Sequence, residues 1–443
     1  MSISRRRLLV GGTLTAAASA LAPTFTLAER IGPALRIPPR WDDWSSVREQ
    51  FDLAPEYIHL GLFYLASHPR PVRAAIEQLR QRLDRNPFLT VEQGMFEPAH
   101  PKLYAAVTEA LGRYTGFDPN DIALTSNTTT GLSVIYHGLP LKSGDEILTT
   151  NQDHYVHHEA IRLASERNGA TWRKIPIFDS YDTVSADEIT DRIRKAITPK
   201  TRVVGITWVH SSSGLRMPVR RIADAIAQVN RTRGPENRVL LVVDGVHGIG
   251  VESPDLPSLG ADLFAAGLHK WIFAPRGTGF VWAKPEIWAG MRPLMASFQW
   301  MEEFEAWADE RPITPPARAA LFSPGGFQAY EHHWAVPAAI EFHRKIGSDR
   351  ITERIHALNA QMREGLSKLP QVVVYTPAPR ELSAGMVCFD VKGVKADETV
   401  KRLLAKRILA STTPYRVPVS RLACGIMNTP EEVEATLRAI RSL

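Results

Sequence analysis

Cysteine is almost missing from this chain of 443 residues: there are two, Cys388 and Cys424. Both lie in apolar stretches, Met386-Val387-Cys388-Phe389 and Leu422-Ala423-Cys424, and read as buried thiols. The sequence leaves a disulfide between them open. Zinc spacing is missing too, because no His/Cys cluster repeats at the required intervals. Strong charge of one sign is absent. The formal net charge is +6, and falls to +3 without Arg5, Arg6 and Arg7. No basic stripe with interleaved aromatics occurs, which argues against a nucleic-acid partner. No Gly-x-Gly-x-x-Gly follows the first strand with an acidic residue at the proper distance, so a dinucleotide-binding dehydrogenase is disfavoured. The one sustained apolar stretch near the start, Leu8 to Ala22, is shorter than the ~20 residues that span a bilayer. A stable membrane anchor is therefore not expected.

That stretch is instead read as an address. Ser4-Arg5-Arg6-Arg7-Leu8-Leu9 is a twin-arginine pattern, and no acidic residue precedes Glu29. Residues 1–28 are expected to be an export signal read by the twin-arginine translocation machinery, which delivers folded proteins to a bacterial periplasm. Cleavage fits after Ala22 or after Ala28. The second is preferred, because Pro23 would follow the first cut.

The rest alternates strand and helix. Helical periodicity runs from Lys102 to Tyr114 and from Val219 to Val229, and Ser185-Ala186-Asp187-Glu188 reads as a capping box. Short apolar runs at 121–124, 146–149, 203–208, 239–244 and 277–282 read as strands. This rhythm predicts an α/β class with a mostly parallel sheet and helices on both faces. Past about Gly290 the rhythm breaks. The aromatic, acidic run from Phe298 to Ala320 reads as a connecting loop. A long helix over 351–369, β-rich stretches at 372–375 and 386–391, and a helix capped at Thr429 predict a smaller α+β domain. The expected division is 29–60 as an N-terminal segment packing on the small domain, 61–310 as the large domain and 311–443 as the small one.

Chemistry concentrates at strand ends. Asp244 ends the run Leu240 to Val243, where open α/β sheets place ligands. Lys270 follows the run Leu263-Phe264-Ala265-Ala266. A lysine and a carboxylate on neighbouring strand ends suit pyridoxal phosphate. The lysine links the cofactor as an imine, and the carboxylate keeps its pyridine nitrogen protonated, making the ring an electron sink. Ser126-Asn127-Thr128-Thr129-Thr130-Gly131 follows a strand and opens a helix, an anion site made of backbone N–H groups and hydroxyls. His269, next to the lysine, stands within reach of the same phosphate.

Together these motifs resemble the class V aminotransferases, pyridoxal-phosphate enzymes of fold type I that include cysteine desulfurases and isopenicillin-N-epimerase-like proteins. The resemblance covers the chain from about Ile58 onward. It implies that Thr128, Thr129 and Gly131 form the phosphate loop. It places His154 of Gln152-Asp153-His154-Tyr155 on the cofactor ring, with Tyr155 as the alternative. Ser211, in His210-Ser211-Ser212-Ser213-Gly214, and His247 are expected at the cofactor's phenolic oxygen. The closing stretch from Arg421 to Glu432 resembles the family signature, so Arg421, ahead of Arg416, is the expected partner of a substrate carboxylate. A homodimer is implied, although Phe322-Ser323-Pro324-Gly325-Gly326-Phe327 carries glycine where relatives often have a threonine for the neighbouring subunit's phosphate. The expected activity is on an amino acid or peptide-bound amino group, by transamination or epimerisation, with Lys270 as general base. Exported members that tailor peptide siderophores such as pyoverdine supply an analogy for the substrate. Elimination by a lyase, or an exported binding protein without chemistry, are the alternatives. Cysteine desulfuration is not expected, because it needs an exposed, mobile cysteine.

Overall fold

The computed structural model describes residues 39–97, 102–252, 255–313 and 318–443. The expected export signal over 1–28 lies outside the described residues, as do residues 29–38 of the expected N-terminal segment.

The described residues form thirteen short strands. They are β1 (Ile58–His59), β2 (Ile122–Thr125), β3 (Glu146–Thr150), β4 (Thr171–Ile175), β5 (Thr201–Thr207), β6 (Leu240–Asp244), β7 (Leu263–Gly267), β8 (Gly279–Ala283), β9 (Val372–Val374), β10 (Val387–Val391), β11 (Ile408–Leu409), β12 (Ser411–Thr412) and β13 (Ser420–Leu422). Seven of them form one sheet in the order β2-β8-β7-β6-β5-β3-β4. The pairs from β7 through to β4 are parallel, and β8 runs antiparallel to both β7 and β2. The mostly parallel α/β sheet inferred from the sequence is therefore present. Its central strands are apolar at nearly every position because both faces are covered. Leu241, Val242 and Val243 of β6 and all of β7 are buried.

Helices pack close where the sequence makes room. The helix Thr128–Gly138 begins at the N-cap Asn127, whose side chain accepts from the Thr130 N–H. It rests on the sheet through Gly131, where a Cβ would lie 3.0 Å from Val281 and 3.2 Å from Ala265. Any larger residue would lift this helix, and its N-terminus, from the sheet edge. Gly205 in β5 plays a similar part. A Cβ there would come within 2.1 Å of the Tyr136 hydroxyl, which is bonded to His157 Nε2 at 2.6 Å.

A second, antiparallel sheet has the order β12-β13-β10-β9, and β1 pairs in parallel with β11. Its core includes Leu358, Met362, Phe389, Leu422 and Ile440. The long helix spans Ser348–Ser367, and the last helix, Pro430–Arg441, starts at Thr429 with both hydrogen bonds of a capping box. Of the box expected at Ser185 the N-cap half forms, the Ser185 side chain accepting from the Glu188 N–H, without the reciprocal bond seen at Thr429.

One reading needs correction. The run from Phe298 to Ala320 was expected to be loop, but Met301–Ala308 is a helix. Glu302 and Glu303 stand in its first turn, where acidic side chains complement the helix dipole. Its aromatic residues, Phe304 and Trp307, are exposed rather than buried, so no amphipathic period marked it in the sequence.

Candidate active site

The site forms at the carboxyl ends of the central strands, where the parallel sheet directs β6, β5 and β7 to one rim. Asp244 is the last residue of β6 and is 4% exposed. Its Oδ1 accepts from the Val246 N–H at 3.1 Å. Burial raises its carboxyl to about 6; that bond and the Lys270 charge pull the other way, and Asp153 adds to the rise. Lys270 stands three residues beyond β7. Burial lowers its amine to about 8 against the attraction of Asp244, with Arg421 adding to the fall. Its Nζ lies 3.2 Å from His247 Nε2, and Trp271 Nε1 donates to His247 Nδ1 at 3.2 Å. His247 is buried, and its imidazole is held well below the ordinary histidine range, first by burial and then by Lys270 and Arg421.

The expected phosphate loop lies at the same rim. Thr128 opens its helix, and its Oγ1 accepts from the Gly267 N–H at 2.8 Å, tying helix to strand β7. A Cβ at Gly267 would come within 3.1 Å of that oxygen and 3.0 Å of the His269 ring, so the glycine keeps this corner open. His269 Nδ1 is buried without a hydrogen-bond partner among the described residues. Burial, then Lys270, lowers the His269 ring to about 4. Thr129 is exposed on the first turn. A helix start, a hydroxyl and an unpartnered ring nitrogen together suit a phosphate.

His154 caps the helix Tyr155–Asn168, its Nδ1 accepting from the Val156 N–H at 3.3 Å. Burial, then Lys270 and Arg421, lowers its ring to about 4. Tyr155 is 60% exposed and turned to the surface. Beneath His154, Asp153 anchors the floor. It accepts from Thr149 Oγ1, from the Thr150 N–H and Oγ1, and from the Thr207 N–H at 2.6–2.9 Å. Burial would raise its carboxyl, but His157, His210 and these donors outweigh it and hold it low.

The second sheet supplies the other wall. Arg421, in β13, is 3% exposed. Its Nη1 donates to the Ser211 carbonyl at 3.1 Å, its Nη2 reaches Ser411 Oγ at 3.2 Å, and its guanidinium lies 3.9 Å from the Phe63 ring centroid. Arg416 is exposed on the loop between β12 and β13. Ser211 Oγ is 2.8 Å from the Tyr415 hydroxyl, and the Tyr415 ring meets His154 edge-on at 6.0 Å. Thus Asp244, Lys270, His247, His154, Ser211 and Arg421 share one neighbourhood. Sequence reasoning missed Tyr415, Asp153 and the role of Trp271 as a donor. Tyr415 sits one residue before Arg416 in a proline-flanked loop, and that adjacency was the available signal.

The chain belongs to the class-V aminotransferase family, whose profile matches residues 71–436. It is 28% identical over 408 residues to isopenicillin N epimerase of Amycolatopsis lactamdurans, covering 90% of this chain and 98% of that one. It is 26% identical over 424 residues to a probable cysteine desulfurase of Xylella fastidiosa strain Temecula1, covering 91% and 96%. Among solved structures, a C-DES mutant with glycine covalently linked to its PLP cofactor matches with a TM-score of 0.78 at 23% identity, covering 89% of this chain and 99% of that one. The apo cysteine desulfurase of Thermococcus onnurineus NA1 matches with a TM-score of 0.73 at 20% identity, covering 90% and 97%. Family membership makes this chain a pyridoxal-phosphate-dependent enzyme of transferase, isomerase or lyase type. The open corner at Gly267, the unpartnered Nδ1 of His269 and the buried Asp244 and Lys270 fit that cofactor.

Proposed function

We propose that this enzyme acts on the amino group of an amino acid or peptide by epimerisation or transamination. The observation that carries the reading is the enclosure of a low-pKa lysine and a buried arginine in one site with no accessible thiol. Cys388 and Cys424 are both fully buried, and burial pushes each thiol up to about 12. Neither suits sulfur transfer, which favours the epimerase side of the family over the desulfurase side. The epimerase relatives support the same choice.

When bound, pyridoxal phosphate supplies an electron sink for the charge left at a substrate's Cα. Thr128, Thr129 and His269 would hold the phosphate, His154 would cover the ring, and Ser211 and His247 would face the phenolic oxygen. Asp244 would hold the pyridine nitrogen in its protonated form. Arg421 grips the substrate carboxylate through its planar fork, with Phe63 and Ser411 fixing the plane. Lys270 Nζ, neutral above pH about 8, takes the Cα proton as general base. Tyr415 brings a second proton-bearing hydroxyl to the site from the loop after β12. Return of the proton to the opposite side of Cα gives inversion, and its return elsewhere gives transamination. Elimination is the second reading, carried by the structural likeness to C–S lyases.

The test is mass spectrometry of products after incubation with free amino acids and with short peptides in deuterated water. Inversion with one deuterium at Cα supports epimerisation, and keto products support transamination. Sulfide release from L-cysteine that depends on Cys388 or Cys424 would overturn the reading.

We also propose that the enzyme works in the periplasm as a homodimer, reached by the twin-arginine route. Arg5 and Arg6 ahead of a short apolar run support export, and tailoring of a peptide such as a siderophore would suit that compartment. Replacing Arg5 and Arg6 with lysine should hold the protein in the cytoplasm, and unchanged delivery would reject the route. Light scattering on the purified protein tests the dimer.

A further inference from the structure

Trp271 follows the reactive lysine and is almost fully buried. Its position leaves little freedom. Gly250, at φ +81°, approaches its backbone so closely that a Cβ would lie 2.8 Å from the Trp271 carbonyl. Gly385, at φ +68°, packs against the ring, where a Cβ would lie 3.1 Å from Cζ2. Both glycines sit in the left-handed region that other residues avoid, so Trp271 is held at its backbone by one and at its ring by the other.

The clamped indole has one polar group, and it can only donate. It donates to His247 Nδ1 at 3.2 Å. That nitrogen must therefore carry a lone pair, and a neutral His247 then carries its proton on Nε2. Burial keeps the imidazole neutral. The Nε2–H points at Lys270 Nζ, 3.2 Å away. A free amine can accept this bond. An ammonium cannot, because it would set one donor against another.

We propose that Trp271 is a positioning residue that fixes the tautomer of His247 with its proton on Nε2, so that His247 donates to Lys270 and favours the free amine. This rests on the reading of Lys270 as the reactive amine and adds what sets its protonation. The other groups facing the pair are accounted for. Asp244 attracts a charge on Lys270 and Arg421 repels one, while His154 and His269 face His247 with lowered, neutral rings. None of them selects a tautomer of His247. Without the indole donor, His247 could move its proton to Nδ1 and accept from an ammonium through Nε2.

The test uses the full-length chain freed of cofactor, whose refilling with pyridoxal phosphate shows that the fold is kept. Cyanate labelling of Lys270, followed by mass spectrometry of its peptide, gives the pH at which half the amine is free. In the wild type it should fall near pH 8. In Trp271→Phe, which keeps an aromatic ring but no donor, it should rise by about one pH unit, the size expected for one hydrogen bond. An unchanged midpoint in a refillable Trp271→Phe protein would overturn the proposal. A second readout needs no folded variant at Trp271. In 15N-histidine-labelled wild type, with His247 assigned by His247→Gln, the His247 proton should be on Nε2. A proton found on Nδ1 would overturn the proposal whatever the substrate proves to be.

Discussion

The two walls of the site differ in how they are built. The floor comes from the rim of the seven-stranded sheet, where Asp244 ends β6, Lys270 follows β7 and Thr128 opens the helix after β2. These side chains are set by strand ends, by Gly131 and Gly267, and by the four donors on Asp153. The roof comes from the second sheet and its loops, where Arg421, braced by Ser411, and Tyr415 reach across to Ser211. On the reading proposed above, the floor holds groups that any pyridoxal-phosphate reaction would need. The roof holds groups that would touch only the substrate. Damage to the floor should therefore stop chemistry for every amine, and damage to the roof should change which amine is used.

The largest expected effect is on the floor. Lys270→Ala should lose covalent attachment of the cofactor altogether, seen as loss of its near-visible absorbance. Asp244→Ala should keep the attachment but react more slowly by on the order of 10²–10³, since one preorganised charge partner is gone. Equal rates for Asp244→Ala and wild type would remove the floor's electrostatic role.

On the roof, Arg421→Lys keeps the charge but loses the planar fork. KM should rise by about ten-fold or more with kcat little changed, because hydrogen bonds to charged groups are worth about 1.5–3 kcal/mol. A fall in kcat as large as that of Asp244→Ala would erase the distinction between the walls. Tyr415→Phe is the roof's exception, because its hydroxyl is proposed to carry a proton. Inversion should fall while deuterium exchange at Cα persists, since Lys270 is untouched.

The pH dependence has a fixed sign. Lys270 is a cation below its lowered value of about 8 and a free amine above it. A step that needs the amine should therefore strengthen as pH rises through about 8, rather than through the ordinary lysine range. The smallest effect belongs to the thiols. Cys388→Ser and Cys424→Ser should leave turnover of amino-acid substrates unchanged wherever the protein folds, as both thiols are buried.

The floor was legible in the sequence for a physical reason. Buried parallel strands are nearly continuous apolar runs, so Leu240 to Val243 and Leu263 to Ala266 announced themselves, and the polar residues after them stood out. The helix caps at Ser185 and Thr429 were equally local. The roof was not local. Arg421 meets Ser211 from 210 residues away, and Tyr415 meets Ser211 from 204. Nothing in the spacing of a loop tyrosine says which strand end it will cover. Trp271 was hidden differently. It sits beside the lysine and reads as core, and its donor role appears when His247 is folded against it. The helix Met301–Ala308 escaped because its aromatic residues face outward.

The central claim is that Lys270 is the lysine that carries the cofactor. Borohydride reduction of the purified enzyme, followed by peptide mapping, tests it most directly. Reduced pyridoxal phosphate should be found on the peptide Gly267-Leu268-His269-Lys270-Trp271 and its flanks. Cofactor fixed to any other lysine would contradict the account.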